Sequence, residues 1–460
     1  MNDDAPTTWS APATFSDPGT KVRLLVCFFV PMLTAWLLAT VWVPLELHQA
    51  EEYLTLAQSP DGGFSLLRPP GYIFFLHILS RLSGGFPQGA YAPVYFTQAV
   101  LLGCAAVAFF LVARRWLEPA AACVLALAFG CHPLTLVLAG YLHYDLLHLA
   151  LLVIMAWCMV RAFLSPCISW RWAILAGVVA GLTTLTRPMT LLFPPVLAIV
   201  LVRLRKADSR HRSLSWLIGV TAMALTLVPR VVENFHRTHR LFPVNAQTGA
   251  AVWPMTVTAL QPTSVNFPWL KAWTPAGSDL ITSHLGPDAV RPDAFMTQTI
   301  VLDDLFKADA WTRFRAHPSI YLENVAANLV FFWTGDSRRF IQAFCFYQIA
   351  ERPSRTTAWA VGYFVLSSAL MHALALYGWV RAWWQREPTL LVAGSVFLTL
   401  WLVHALVYLD ARYIYAGLPF FLWFAAYGLR ELLPARCRRD LAAATVLAAL
   451  SFIGLFCILL

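Results

Sequence analysis

Charge is what this chain has least of. Asp, Glu, Lys and Arg make up 12% of its 460 residues, against 59% hydrophobic residues, and the mean hydropathy is +0.63. A soluble globular domain carries roughly twice that charged share, about 25%, so a purely soluble protein is excluded. Its nine cysteines form no CxxC pair and show no metal-ligand spacing. Most fall in apolar runs, and only Cys345 is expected in the large external segment, so no disulfide framework is implied there. A Gly-rich phosphate loop and a GxGxxG after a strand are also missing, which leaves the short basic loops with nothing to hold a nucleotide. No internal repeat stands out.

What is present is a series of apolar runs of bilayer-spanning length, about 20 residues each. They place spans at approximately 24–44, 93–113, 119–140, 146–164, 172–186, 189–203, 214–230, 357–380, 389–408, 413–430 and 440–460. The expectation is therefore an all-α polytopic helix bundle of about 11 spans, with one sizeable external insertion. The formal charge of +9 lies mostly in short clusters between the runs. That is the pattern of positive-inside topology signals rather than of a nucleic-acid surface. With the N-terminus inside, Arg114, Arg115, Arg161, Arg171, "RLRKADSRHR" (203–212), "RAWWQRE" (381–387) and "RELLPARCRRD" (430–440) all face the cytoplasm. The first run follows Lys21 and Arg23, exceeds a signal-peptide core in length and is expected to remain as an uncleaved span.

This layout leaves 45–92, "YLHYD" (141–145), "TRP" (186–188), 231–356 and "YLDARY" (408–413) on the outer face. In the first of these, Leu47, Ala50, Leu54 and Ala57 recur at helical spacing, predicting a helix that lies on the membrane surface and carries Glu51, Glu52 and Tyr53. A second helix is expected from Arg68 to Leu82, since Pro69 and Pro70 suit a helix start. Asp145, beside His143 and Tyr144, is either a helix cap or a functional carboxylate; an ionisable group at membrane depth is costly unless paired or facing water. Arg187 stands between two apolar runs and either anchors the topology or binds an anion, for which its rigid fork is suited. Arg412, with Tyr413, poses the same choice, with Asp410 as a nearby partner. The stretch "VPRVVENFHRTHRLFPV" (228–244) brings Arg230, Glu233, Asn234, His236 and His239 to the membrane exit. Its charges suit lipid head groups, which leaves Asn234 without a reason. His143, His148, His236 and His239 match no metal-binding spacing.

Taken in order, "AEEYLTLAQ" (50–58), "RPPGY" (68–72), the "YD" at 144–145, "GLTTLTRP" (181–188), 228–244, "HPSIYLENV" (317–325) and "ARYIYAGLPFF" (411–421) resemble the family 39 glycosyltransferases of the GT-C superfamily. These include the protein O-mannosyltransferases and the bacterial transferases that move aminoarabinose onto lipid A. The resemblance spans nearly the whole chain and rests on seven weak motifs with consistent sidedness. It implies a GT-C-type bundle with surface helices in the first outer loop, set in a bacterial inner membrane with its active site on the extracytoplasmic face. It further implies transfer of a sugar from a polyprenyl-phosphate donor to an extracytoplasmic lipid, glycan or protein acceptor by an inverting single displacement.

On that basis Glu51 or Glu52 is the general base and Asp145 a second acid. Arg187 and Arg412 bind the donor phosphate, with Arg68 and Arg230 as further phosphate partners. Tyr53, Tyr144, Asn234, His236 and Tyr413 contact substrate. Relatives carry an acidic residue about four positions before the loop Tyr, where this chain has Gln49. An amide cannot act as a base, so either Glu51 or Glu52 has taken the role, or the helix register is shifted, or Asp145 is the base, or the architecture is kept with altered chemistry. No cofactor is called for, and a divalent metal is not indicated. The expected organisation is a transmembrane module over 1–230 with the catalytic outer loop 45–92, an extracytoplasmic insertion over 231–356 and C-terminal spans over 357–460. The competing readings are a polytopic lipid or oligosaccharide transporter or flippase, which predicts interrupted helices and midplane charges, and an oligosaccharide polymerase or ligase.

Overall fold

A computed structural model describes residues 17–41, 48–59, 65–66, 68–86, 91–165, 169–204, 210–246, 248–257, 275–286, 298–334, 355–407, 414–433, 442–443 and 445–448. Among the described residues there is helix and no strand. The N-terminal half runs through α1 (Pro18–Val41), α2 (His48–Gln58), α3 (Pro70–Ser83), α4 (Ala92–Ala113), α5 (Pro119–Gly130), α6 (Pro133–Ala139) and α7 (Tyr144–Phe163). It continues with α8 (Trp170–Thr186), α9 (Phe193–Arg203) and α10 (Arg210–Thr238). The segment expected to be external holds α11 (Thr248–Val252), α12 (Pro275–Leu285), α13 (Thr299–Ala316) and α14 (Pro318–Thr334). The chain then forms α15 (Arg355–Gln385), α16 (Pro388–Leu406) and α17 (Leu418–Leu432).

Five helices are long and apolar enough to cross a membrane, namely 18–40, α4, α7, 211–238 and α16, and the bent pair α5–α6 makes a sixth. The protein is a membrane protein. α8 and the stretch 188–203 are apolar but shorter, as expected of the two runs flanking Arg187. The span expected at 440–460 lies almost entirely outside the described residues. Where the sequence suggests one run at 119–140, α5 and α6 meet at a bend of 52°. Pro133 causes the break, because it has no N–H to continue the ladder. The exposed backbone groups are met locally: His132 accepts from the Leu134 N–H at 3.2 Å, and Thr135 Oγ1 donates to the carbonyls of Phe129 and His132.

The bundle closes around α4, which packs on α1, α5 and α7, while α7 in turn carries α8 and α16. Its core is aromatic: Phe109 stacks between Phe129 and Trp423, and Phe397 meets Phe421 and Phe424 edge-on. Asn328 of α14 caps the end of α16 by donating to the carbonyls of His404 and Val407 at 3.2 and 3.0 Å. A second apolar cluster joins Ala50, Tyr53, Leu54 and Ala57 of α2 to Tyr72, Ile73 and Leu76 of α3. Ala50, Leu54 and Ala57 of the stripe expected on the membrane surface are therefore covered by protein, while Leu47 lies outside the described residues. The physical reason for that cover is α3, whose own apolar face gives α2 a partner that the lipid surface would otherwise supply. A third cluster, Trp253, Ile281, Leu302, Phe306 and Ala310, joins α12 and α13.

Candidate active site

Burial of Ala50, Leu54 and Ala57 turns Tyr53 fully inward and leaves its neighbour Glu52 at the margin of α2, half-buried, while Glu51 is exposed. Arg68 comes to Glu52 from the turn ahead of α3, where its N–H donates to Ser65 Oγ at 2.9 Å. Its Nε donates to Glu52 Oε1 at 3.0 Å and its Nη2 to Oε2 at 2.6 Å. This two-pronged contact is the geometry in which a guanidinium holds a carboxylate best. The guanidinium also lies 5.6 Å from the centre of the Tyr53 ring. Burial works against the charge of Arg68, but the hydrogen-bonded Glu52 carboxylate favours it, and the group lies above its ordinary pKa. Burial pushes the Tyr53 hydroxyl well above its usual range, so it stays protonated.

Tyr53 is the hub of an aromatic cluster. Its ring meets Tyr72 at 5.4 Å, Tyr144 at 5.9 Å and His143 at 6.1 Å, all edge-on. On the far side of Tyr144 the Arg187 guanidinium lies 5.1 Å from the ring centre. Asp145 takes its Oδ1 to Arg187 Nη1 at 3.4 Å and its Oδ2 to His143 Nδ1 at 2.9 Å. Asp145 and Arg187 are both buried. Pro188 explains how Arg187 gets there. The residue before a proline is disfavoured in helical conformation, and Arg187 leaves α8 with φ −154° and ψ 118°. Its side chain can then turn in among the helices instead of continuing around α8.

Gly71 brings the two halves of this site together. A Cβ at that position would lie 2.7 Å from both the N and the Oγ1 of Thr186. The start of α3, just after Arg68, therefore rests directly on the end of α8, just before Arg187. Gln98 ties down the remaining edge: it accepts from Tyr72 Oη at 3.1 Å and donates to the carbonyls of Ala139 and Tyr141 at 2.9 and 2.8 Å.

The expected residues after α10 sit to one side. Arg230 donates to the carbonyls of Val244 and Ser65 and pairs with Glu233 at 2.9 Å. The Asn234 amide donates to the carbonyls of Phe242 and Val244 at 2.8 and 3.2 Å. Both fold the 242–246 segment back onto the first outer loop, where the Ala246 N–H reaches Leu66 O at 2.9 Å. This is the reason the sequence lacked for the asparagine. His236 is exposed, and His239 ends α10 with φ +56°. Glu51 makes no hydrogen bond or ion pair among the described residues. Arg412 and Tyr413 lie outside the described residues, as does the side chain of Gln49. Sequence reasoning passed over Gln98 and His404, both fully buried polar residues inside apolar runs; that isolation was their only signal. His404 and the equally buried His148 lie within electrostatic reach of Arg187. Among the described residues, no three or more His, Cys, Asp or Glu side chains are grouped to hold a metal ion.

Residues 67–232 match the family described as Dolichyl-phosphate-mannose-protein mannosyltransferase. A comparison with curated protein sequences gives no significant match. Among solved structures, the chain is similar to the oligosaccharyltransferase of Archaeoglobus fulgidus tethered to an acceptor peptide containing the NVT sequon. That similarity has 14% identity and a TM-score of 0.53, over 96% of this chain and 55% of the other. The same archaeal enzyme, AglB, in complex with an inhibitory peptide and a dolichol-phosphate, gives 15% identity and a TM-score of 0.54 over 96% and 56% of the two chains. ArnT from Cupriavidus metallidurans aligns over 92% of this chain and 84% of its own at 15% identity, but its TM-score of 0.38 is too low to establish a shared arrangement. The chain spans about half the length of the archaeal structures it matches. The family match and the helical superposition together give this chain the fold of the GT-C superfamily.

Proposed function

We propose that this chain is a membrane glycosyltransferase. It moves a sugar from a polyprenyl-phosphate-linked donor to a hydroxyl of an extracytoplasmic lipid, glycan or protein by an inverting single displacement. One observation carries the reading: Glu52–Arg68 and Arg187–Asp145 flank a common Tyr53–Tyr144 cluster at one end of the bundle. Such transfer needs an ionised carboxylate to take the acceptor proton and fixed positive charge where the leaving phosphate develops its own. Both are here within one cluster. The family match over 67–232 and the dolichol-phosphate held by the archaeal enzyme of like fold support the lipid-linked donor.

In this reading Glu52 is the base, since it lies at the margin of the cluster where an acceptor can approach. The acceptor oxygen attacks the anomeric carbon, its proton passes to Glu52, and the bond to the phosphate oxygen breaks with its electron pair. Arg68 and Arg187 meet the phosphate as its charge rises. Asp145, held by His143 and Arg187, orients the second guanidinium. Arg412 and Tyr413 are further donor contacts, and the cluster faces the outside of a bacterial inner membrane, with the basic loops in the cytoplasm. The external insertion of 231–356 carries the acceptor determinants.

Radiolabelled polyprenyl-phosphate sugars given to the purified protein with a membrane extract should release polyprenyl phosphate and label an acceptor. Absence of turnover with every common donor would sink the reading. The bend between α5 and α6 is the feature a transporter would share. Its freed backbone groups are satisfied by His132 and Thr135, however, and the charged cluster lies at helix ends rather than at a midplane break.

A further inference from the structure

The proposed base is not available as it stands. Both oxygens of Glu52 are taken up by Arg68, at 3.0 and 2.6 Å. A carboxylate held bidentately by a guanidinium has its best proton-accepting directions occupied and is a poor base. Asp145 is likewise held, but by two partners at once, His143 and Arg187, and it is the more deeply buried of the two acids. Glu51 is exposed and makes no hydrogen bond or ion pair among the described residues, so nothing couples it to the donor. Of these three acids, Glu52 therefore combines one cation, partial exposure and a position beside the tyrosine cluster.

We infer that Arg68 exchanges anions: the donor's phosphate takes the guanidinium from Glu52, and only then is the carboxylate free to act as the base. This inference rests on the proposed function and adds to it a control of the same site. The exchange is balanced, because a sugar phosphodiester carries one negative charge, as does the carboxylate it displaces, and both match the planar fork of Arg. No proton or electron pair moves in the exchange. In the transfer that follows, the acceptor proton goes to Glu52 and the leaving phosphate gains a second negative charge. Its hold on Arg68 then strengthens as the reaction proceeds, the differential binding that accelerates a step. Release of the acceptor proton from half-buried Glu52 to solvent and loss of the phosphate return Arg68 to the carboxylate and close the base again. Donor must therefore bind before acceptor is activated, and an empty enzyme cannot deprotonate a bystander hydroxyl or water.

The test uses the full chain in nanodiscs and carbodiimide-driven amide formation on carboxyl groups, read residue by residue by tandem mass spectrometry. Polyprenyl phosphate is the probe, and the adjacent exposed Glu51 is the internal standard. Saturating lipid phosphate should raise the modification of Glu52 relative to Glu51 by about tenfold, the order expected when a hydrogen bond to a charged group is lost. Arg68→Gln should show the raised level without lipid and no response to it. If that variant fails to fold, the wild-type titration decides alone. Unchanged or reduced Glu52 modification in a protein that binds the lipid, measured in parallel by equilibrium binding, overturns the exchange and leaves the donor reading intact. Failure to bind the lipid at all overturns both. An equal response to inorganic phosphate at the same concentration overturns the assignment of the anion to a lipid.

Discussion

Glu51 and Glu52 are neighbours in the chain and have nothing else in common. An α-helix turns about 100° per residue, so once Tyr53 points inward one of the two carboxylates must lie nearer the cluster than the other. Glu52 does, and meets Arg68; Glu51 is left in solvent. Their amides should behave differently. Glu52→Gln is expected to lower turnover by about 10²–10⁴-fold, the usual range for removal of a general base, with donor binding largely retained. Glu51→Gln should stay within a few-fold of the parent. Asp145→Asn should also be slow, but through donor affinity, because the Arg187 it orients loses its anion. Turnover and donor affinity measured on all three separate these outcomes, and an equal loss of turnover in the three would contradict the assignment of Glu52. At this scale Arg187 was legible in the sequence, since a lone Arg before a Pro in an apolar stretch has few roles. The pairing of Glu52 with Arg68 was not, because sixteen residues and a turn separate them.

Among the elements, α3 does the most to assemble the site. Arg68 stands two residues ahead of its first turn, and that turn rests on the end of α8, a contact that tolerates only hydrogen at Gly71. Gly71→Ala would put a methyl 2.7 Å from the backbone N and the hydroxyl of Thr186. Neither can withdraw without shifting α8 next to Arg187, so overpacking should cost about 1–3 kcal/mol. A lowered unfolding midpoint in detergent, with a weakened donor affinity, is the expected outcome; an unaffected midpoint would mean that the two helices are not in firm contact. The start of α3 was readable from Pro69 and Pro70, and so was the helical stripe of α2. What covers that stripe was not: hydrophobic spacing states that a face is buried, and says nothing of whether lipid or Ile73 and Leu76 bury it.

If the basic loops face the cytoplasm, as the positive-inside rule implies, the cluster of acids, arginines and tyrosines is expected on the outer side. Sidedness is then open to direct measurement. In a background without reactive native cysteines, Glu51→Cys and Trp311→Cys should react with a membrane-impermeant maleimide on intact cells. Arg386→Cys should react only after permeabilisation. Labelling of Arg386→Cys from outside would contradict the topology, and failure of Glu51→Cys to label from outside would remove the case for an extracytoplasmic site. Both outer positions are exposed in the structure, so failure to react reports the side of the membrane rather than burial.

The sequence by itself determined that this is a helical membrane protein and roughly where the apolar helices of the bundle run, but not α11 or α12. A bilayer requires of any crossing segment a length and an apolarity that can be counted along the chain. It also marked Asp145 and Arg187, because a charge in such a segment is expensive enough to need a reason. Only the tertiary structure decided which cation neutralises which acid, that Asn234 and Arg230 brace a loop, and that Gln98 ties α3 and α4 to the approach to α7. Those outcomes depend on distances between side chains far apart in the chain. A hydrogen bond is made or lost within a few tenths of an ångström, a scale that helix packing sets and residue order does not carry.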